Sequence, residues 1–91
     1  MGEVMTPQEA RAVVERAIVD AVPDADVGTL EPDDDLREAL ELDSLDFVAV
    51  VESLSTRAAF RIDEDDYREL ATLDRAARFV AAHAGTRDGS P

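Results

Sequence analysis

The middle of the chain, residues 35–54, reads DLREALELDSLDFVAVVESL. Within it, Asp43 and Ser44 are residue types that cap the start of a helix. The apolar residues after them recur at three-residue steps, at Leu45, Val48, Val51 and Leu54. This spacing places them on one helix face and predicts a helix from about Ser44 to Arg57. The valines also suit a strand, but the segment is long and does not alternate strictly, which favours the helix.

Two further helices are predicted on either side of this one. Thr6, Pro7 and Glu9 form a capping-box pattern with proline at the first helical position. A first helix is therefore predicted to begin there and to end no later than Pro23. Thr72 is a capping residue for a last helix. The apolar stripe of that helix consists of Leu73, Ala76, Ala77, Val80 and Ala81.

The connections predict the rest of the architecture. Residues 21–43 show no helical period and hold isolated apolar anchors among many aspartates, so we predict a long ordered loop with a short helical turn at 35–40. The acidic run Asp63–Asp66 suits the start of a short helix that ends near Leu70. The predicted fold is all-α, a four-helix bundle of three longer helices and one short one. We expect residues 1–5 to be a flexible N-terminus, 6–84 the domain and 85–91 a disordered tail.

The composition restricts the classes of function. Twenty-two acidic residues against nine basic ones give a net charge of −13, which repels nucleic acid and anionic lipid and attracts basic protein surfaces. We therefore expect protein partners, no nucleic acid and no membrane. The sequence shows no secretory signal and no apolar run of membrane-spanning length, so a cytoplasmic location is expected. We also expect a monomer. The chain has no cysteine, so thioester chemistry would need an imported thiol.

The segment from Asp35 to Asp46 resembles the prosthetic-group attachment site of acyl carrier proteins, whose core is Asp-Ser-Leu at the start of the second helix. That tripeptide alone is a weak signal. The match becomes specific through its acidic leader, the amphipathic helix after it, and the block from Ile62 to Leu73, which resembles the third and fourth helices of the family. The resemblance extends from Thr6 to Ala82.

This resemblance implies a cofactor and a set of partners. A phosphopantetheinyl transferase would join 4'-phosphopantetheine to Ser44 through a phosphodiester. The resulting arm would carry acyl groups as thioesters in fatty acid, polyketide or related secondary-metabolite biosynthesis. Its other partners would be acyl-loading and acyl-processing enzymes of the ketosynthase, acyltransferase or ligase type. The chain itself would be no enzyme, with no catalytic residue.

The residues around Ser44 agree with this implication. A helix N-terminus suits an attached phosphate, and no histidine, cysteine or lysine lies near Ser44 in the sequence to make it a catalytic nucleophile. The alternative is that Asp43 and Ser44 form an ordinary helix cap. Adjacent carboxylates at residues 33–35 lack the alternate spacing of a calcium loop, so no metal site is expected. His83 is interpreted as a helix-end charge or a surface residue.

The resemblance also implies a partner-docking surface in the first turns of the helix that Ser44 begins. Its candidate residues are Asp43, Leu45, Asp46, Val48 and Glu52. We expect Leu45 to be partly exposed, whereas Val48 fits docking and core packing equally, and Val51 and Leu54 belong to the core. A solvated surface carboxylate remains the simpler explanation for Glu52.

The sequence departs from the family pattern in three places. Glu41 stands where many members have glycine, which predicts a different turn into the second helix. Phe60 comes two positions later than the usual aromatic residue, which predicts a longer helix. Ala49 and Ser55 replace acids that are common in carriers of fatty acid synthesis, so a specialised polyketide or secondary-metabolite system is an equal possibility. The alternatives within the same fold are a peptidyl or aminoacyl carrier and an unmodified structural adaptor.

Overall fold

The computed structural model describes residues 5–87, with side chains as far as His83. The helices of this part of the chain are α1 (Pro7–Ala21), α2 (Leu36–Ala39), α3 (Ser44–Ala58) and α4 (Leu73–Arg87). Two 3₁₀ segments accompany them, Val27–Thr29 and Glu64–Leu70. The predicted all-α bundle is confirmed, and its short helix is the 3₁₀ segment Glu64–Leu70.

Helix starts follow the capping residues in the sequence. The Thr6 hydroxyl accepts from the Glu9 N–H at 3.1 Å, and the Thr6 N–H donates to the Glu9 carboxylate at 3.0 Å, which completes the predicted capping box. The Thr72 hydroxyl accepts from the Arg75 N–H at 3.1 Å at the start of α4. Such caps satisfy backbone donors that have no partner within the helix.

One apolar core joins the three longer helices. From α1 it contains Ala10, Val14, Ala17 and Ile18, and from α3 it contains Phe47, Val50, Val51, Leu54 and Ala58. From α4 it contains Leu73, Ala76, Ala77, Phe79 and Val80. Val13 of α1 and Ala81, which belongs to the predicted stripe of the last helix, are partly buried at its edge. The regularly spaced apolar residues of each helix therefore face the core, as the sequence predicts.

The long first connection is an ordered part of the fold. Its anchors Leu30, Leu36 and Leu42 are buried in the core. The Leu36 N–H donates to the Ala71 carbonyl at 2.8 Å, and the Asp74 N–H donates to the Pro32 carbonyl at 3.0 Å. The predicted helical turn is α2. These bonds hold α2 against the beginning of α4, and α2 leads directly to Ser44.

Aromatic contacts show that α3 and α4 run in the same direction. Near the start of α3, Phe47 packs edge-on against Tyr67, with ring centroids 5.3 Å apart. Beyond its end, Phe60 packs against Phe79, near the middle of α4, with ring centroids 5.7 Å apart. The 3₁₀ helix thus returns the chain along α3 before α4 begins. Ser44 lies at the opposite end of α3 from this second aromatic contact.

The two ends of the described chain extend the helical domain. Met5 packs against the core, although residues 1–5 are expected to be flexible, because an apolar side chain next to the first cap can cover the bundle. Helix α4 continues to Arg87, three residues into the predicted tail, since adding a residue to a formed helix costs little. Residues 1–4 and 88–91, the remainder of both predicted segments, lie outside the described residues.

Helix α3 ends one residue later than predicted, at Ala58, and Ala59 terminates it in the left-handed region with φ 64°. The Ala59 N–H donates to the Ser55 carbonyl at 2.9 Å, and the Ser55 hydroxyl donates to the Phe60 carbonyl at 2.6 Å. Left-handed backbone favours glycine, because an alanine Cβ is crowded there. These two hydrogen bonds therefore hold Ala59 in a strained backbone conformation at the end of α3.

We expect Ala59→Gly to raise the free energy of unfolding by about 1 kcal/mol, because it removes the left-handed strain. Tm should rise by roughly 4–8 °C in thermal unfolding followed by circular dichroism. Ala49→Gly, inside α3 with right-handed backbone, is the matched control and should lower stability by about 1 kcal/mol. A loss of stability in both variants would show that Ala59 is not strained.

Candidate functional site

Ser44 is the first residue of α3, and its side chain is exposed. Within the described chain its hydroxyl makes no hydrogen bond. The cap is supplied by Asp43, whose carboxylate accepts from the Asp46 N–H at 2.8 Å. The first helical bond is Phe47 N–H to the Asp43 carbonyl at 2.9 Å, so the N–H groups of Ser44 and Leu45 precede the helical ladder. An accessible hydroxyl thus stands beside two N–H donors at the positive end of a helix.

The turn between α2 and α3 fixes this hydroxyl in place. The Leu42 N–H donates to the Arg37 carbonyl at 2.9 Å, and the Glu41 N–H donates to the Glu38 carbonyl at 3.3 Å. This pair of bonds is a Schellman motif, which ends α2. Glu41 lies at its left-handed position with φ 55°, so it adopts a conformation that glycine favours. Leu42 is only 6% exposed and pins the turn to the core.

Leu45 and Val48 are the large exposed hydrophobic residues of the described chain, with 81% and 37% of their surface accessible. Both are candidate docking residues, and the expected exposure of Leu45 is observed. Val51 and Leu54 are buried as predicted, at 4% and 1%. An apolar side chain exposed to this degree directly after Ser44 makes no contribution to the core.

The three acidic candidates differ in position. Asp43 and Glu52 are exposed and Asp46 is half-buried. With about 100° of rotation per helical residue, Leu45, Val48 and Glu52 share one sector of α3 with Ser44, whereas Asp46 lies further round the helix. The exposed apolar residues and Glu52 therefore form a continuous strip beside Ser44, and Asp46 borders the helix start.

A groove of about 510 Å³ begins one turn after Ser44, between α3 and the chain that returns to α4. Its walls are formed by Val48, Val51, Glu52, Ser55, Thr56, Ile62 and Tyr67. The Ser55 and Thr56 hydroxyls donate to the Phe60 and Glu52 carbonyls. The groove therefore has a mixed polar and apolar lining, and its one carboxylate is that of Glu52.

Two acids of the first loop accept hydrogen bonds from the backbone. The Asp34 carboxylate accepts from the Glu31 N–H at 2.9 Å, and the Asp35 carboxylate accepts from the Glu38 N–H at 3.0 Å. Across the residues that the structure describes, no three acidic or histidine side chains converge as a metal site. Asp34 and Asp35 thus have a structural role in shaping the approach to α3.

Sequence reasoning missed the surroundings of His83. Its ring stacks on Phe60 at 5.0 Å and lies 4.2 Å from Phe79, and its Nδ1 is 3.0 Å from the Phe79 carbonyl. The spacing of Phe79 and His83, four residues apart on a helix, was the available signal. This cluster lies at the end of α3 remote from Ser44. His83 therefore packs against aromatic rings there.

The comparisons with known proteins bear on this site. A family model described as a phosphopantetheine attachment site matches residues 16–80, a span that contains Ser44 and all of α3. No curated protein matches the chain. None of the helices in residues 5–87 is both long enough and apolar enough to cross a membrane.

Proposed function

Because the chain belongs to the phosphopantetheine attachment-site family, we propose that it is an acyl carrier protein whose arm is attached to Ser44. The family domain is the site of covalent 4'-phosphopantetheine attachment. The observation that carries the assignment is the exposed, unbonded hydroxyl of Ser44 at the start of α3. The adjacent N–H groups and the positive end of the helix suit the phosphate that such an attachment brings.

The residues of this chain position the acceptor hydroxyl, and the transferase supplies the chemistry of attachment. The chain contains no lysine or cysteine, and its one histidine packs at the other end of α3. No histidine, lysine or cysteine therefore lies next to Ser44, and the Asp43 carboxylate caps the Asp46 N–H. This supports a substrate of modification over an enzyme with its own nucleophile. The bound arm supplies the thiol that the chain lacks, and acyl groups are carried on it as thioesters.

We further propose that Leu45, Val48 and Glu52, with Asp43 and Asp46 at the helix start, form the surface that partner enzymes contact. The exposure of Leu45 and Val48 supports this, since two neighbouring exposed apolar side chains beside a reactive group suit a partner's apolar pocket. Their partners would be the transferase and enzymes of acyl loading and processing. The cargo would belong to fatty acid, polyketide or related secondary-metabolite biosynthesis.

The proposal is tested by incubating the protein with a broad-specificity phosphopantetheinyl transferase, coenzyme A and Mg²⁺, and then measuring its intact mass. One phosphopantetheine should be added per chain, and proteolytic fragments should locate it on the peptide that contains Ser44. A protein that stays unmodified under conditions that load another carrier would instead be the structural adaptor. Attachment at a second residue would contradict the assignment to Ser44.

We expect Asp46→Lys to slow loading by the transferase, because a basic partner surface would then meet a like charge. The effect should appear mainly in the association rate, by roughly 3–10-fold at low salt, and should diminish above about 0.1 M ionic strength as the Debye length falls. Asp24→Lys makes the same change in net charge beyond the end of α1, and α1 and α3 end side by side at the Asp20–Arg57 ion pair. Equal rates for both variants at low salt would show that Asp46 only solvates the surface.

A further inference from the structure

Arg37 has an unusual position among the charges of this chain. It is the one base between Asp20 and Asp46, a stretch with eleven acids. In the structure it lies in α2 with its guanidinium carbon 5.1 Å from the centre of the Phe47 ring. Such a contact is a cation–π interaction, which orients the guanidinium over the ring.

Within the described part of the chain, Arg37 forms no ion pair. Five other arginines there do pair with carboxylates: Arg11, Arg57, Arg61, Arg75 and Arg78. Arg37 and Arg68, which is also without an ion pair, both line a cleft of about 270 Å³ whose other walls include Asp35, Phe47 and Tyr67. Asp35 already accepts the Glu38 N–H. The charged residues that line the cleft are two arginines and one aspartate, so the cleft is locally positive in a strongly acidic protein.

The cleft is linked to Ser44 by the turn between α2 and α3 and by Phe47, which lines it. The Arg37 carbonyl accepts the Leu42 N–H at 2.9 Å, which fixes the end of α2 just before Asp43 and Ser44. Phe47, under the guanidinium, is three residues after Ser44 on α3, and residues at this spacing are neighbours with Cβ atoms about 5–6 Å apart. Arg37 is thus held over the side chain that adjoins Ser44 on the helix.

We propose that Arg37 binds the phosphodiester of the arm on Ser44, with Arg68 as a second positive charge in the cleft; this rests on the proposed function. A phosphodiester on Ser44 would stand beside Asp43 and Asp46, which repel it. An arginine fork matches phosphate oxygens in geometry and charge, and an arginine without an ion pair breaks no existing bridge to bind them. The aromatic ring beneath keeps the guanidinium in position before the phosphate arrives.

The test compares apo and loaded forms of the wild type, Arg37→Gln and Arg16→Gln. Arg16 is an exposed arginine of α1 that also forms no ion pair within the described chain, so it is the matched control. Each protein is loaded to completion with transferase, coenzyme A and Mg²⁺. Thermal unfolding at low salt gives the change in Tm on loading, and the ³¹P NMR spectrum reports the environment of the phosphate.

Loading should lower the Tm of Arg37→Gln by roughly 2–6 °C more than that of the wild type or Arg16→Gln, and 1 M salt should remove this difference. The ³¹P resonance of loaded Arg37→Gln should differ from that of the wild type, whereas the resonance of loaded Arg16→Gln should coincide with it. Arg37→Lys keeps the positive charge without the planar guanidinium. Its change of Tm on loading should lie between those of the wild type and Arg37→Gln.

Equal changes of Tm on loading together with one common ³¹P resonance would overturn the proposal and leave Arg37 as a packing residue. Slower loading of Arg37→Gln with an unchanged ³¹P resonance in the loaded form would also overturn it, in favour of a contact with the transferase. If the wild type accepts no phosphopantetheine at all, the proposed function itself fails, and that outcome is visible before any variant is compared.

Discussion

Ser44→Ala is expected to abolish phosphopantetheine loading, with no mass gain after prolonged incubation with transferase, coenzyme A and Mg²⁺. The reason is chemical, because the hydroxyl oxygen removed is the proposed atom that joins the phosphate. Stability should change by less than about 0.5 kcal/mol. The N-cap of α3 is Asp43, and the Ser44 hydroxyl makes no hydrogen bond within the described chain, so the substitution removes no contact.

Ser53→Ala is the matched control for this experiment. Ser53 lies in the interior of α3, nine residues after Ser44 in sequence and half-buried, so its loss should leave loading at the wild-type rate. Intact mass and circular dichroism of the two variants separate a lost acceptor from a lost fold. Addition of the arm to a folded Ser44→Ala variant would refute the assignment, and the serine, threonine or tyrosine found in the modified fragment would replace it.

Local sequence patterns predict most of the fold. Thr6 and Glu9 are three residues apart, and that spacing alone predicts a reciprocal pair of backbone caps, which the structure contains. Likewise the three-residue steps from Leu45 to Leu54 predict a helix. Leu54 is buried in the core whereas Leu45 is exposed, so the apolar stripe is outside the core at the start of the helix. Partial exposure of Leu45 was expected because it is next to the proposed attachment point, Ser44.

Contacts between residues distant in sequence could not be predicted from local sequence patterns. Asp20 and Arg57 are 37 positions apart, and their ion pair depends on how α1 and α3 meet. The ring of Phe47 under Arg37 likewise depends on the turn at Glu41, where the sequence has a glutamate in the left-handed backbone conformation that favours glycine. The backbone conformation of Glu41 is set by the hydrogen bonds of the Schellman motif and by the burial of Leu42. Together these stabilise the turn by more than the left-handed conformation of one glutamate costs.

The last prediction pairs one substitution at two sites of α3. Leu54→Ala should lower the free energy of unfolding by about 3 kcal/mol, because Leu54 is 1% exposed and its truncation leaves a cavity between packed helices. Tm should fall by roughly 10–20 °C in thermal unfolding. Leu45→Ala removes the same atoms from a side chain that is 81% exposed, so stability should change by less than about 0.5 kcal/mol.

Loading by the transferase should be affected in the opposite order, more by Leu45→Ala than by Leu54→Ala. Leu45→Ala should weaken association with the transferase by roughly 5–10-fold, because an exposed leucine beside the acceptor suits an apolar pocket of the partner. This loss should change little with salt, unlike that of Asp46→Lys, since apolar burial is not screened by ions. Leu54→Ala, assayed well below its Tm, should load at nearly the wild-type rate. If Leu45→Ala loads normally while Leu54→Ala does not, the exposed strip of α3 is not the docking surface, and the partner must instead respond to the packing of the bundle.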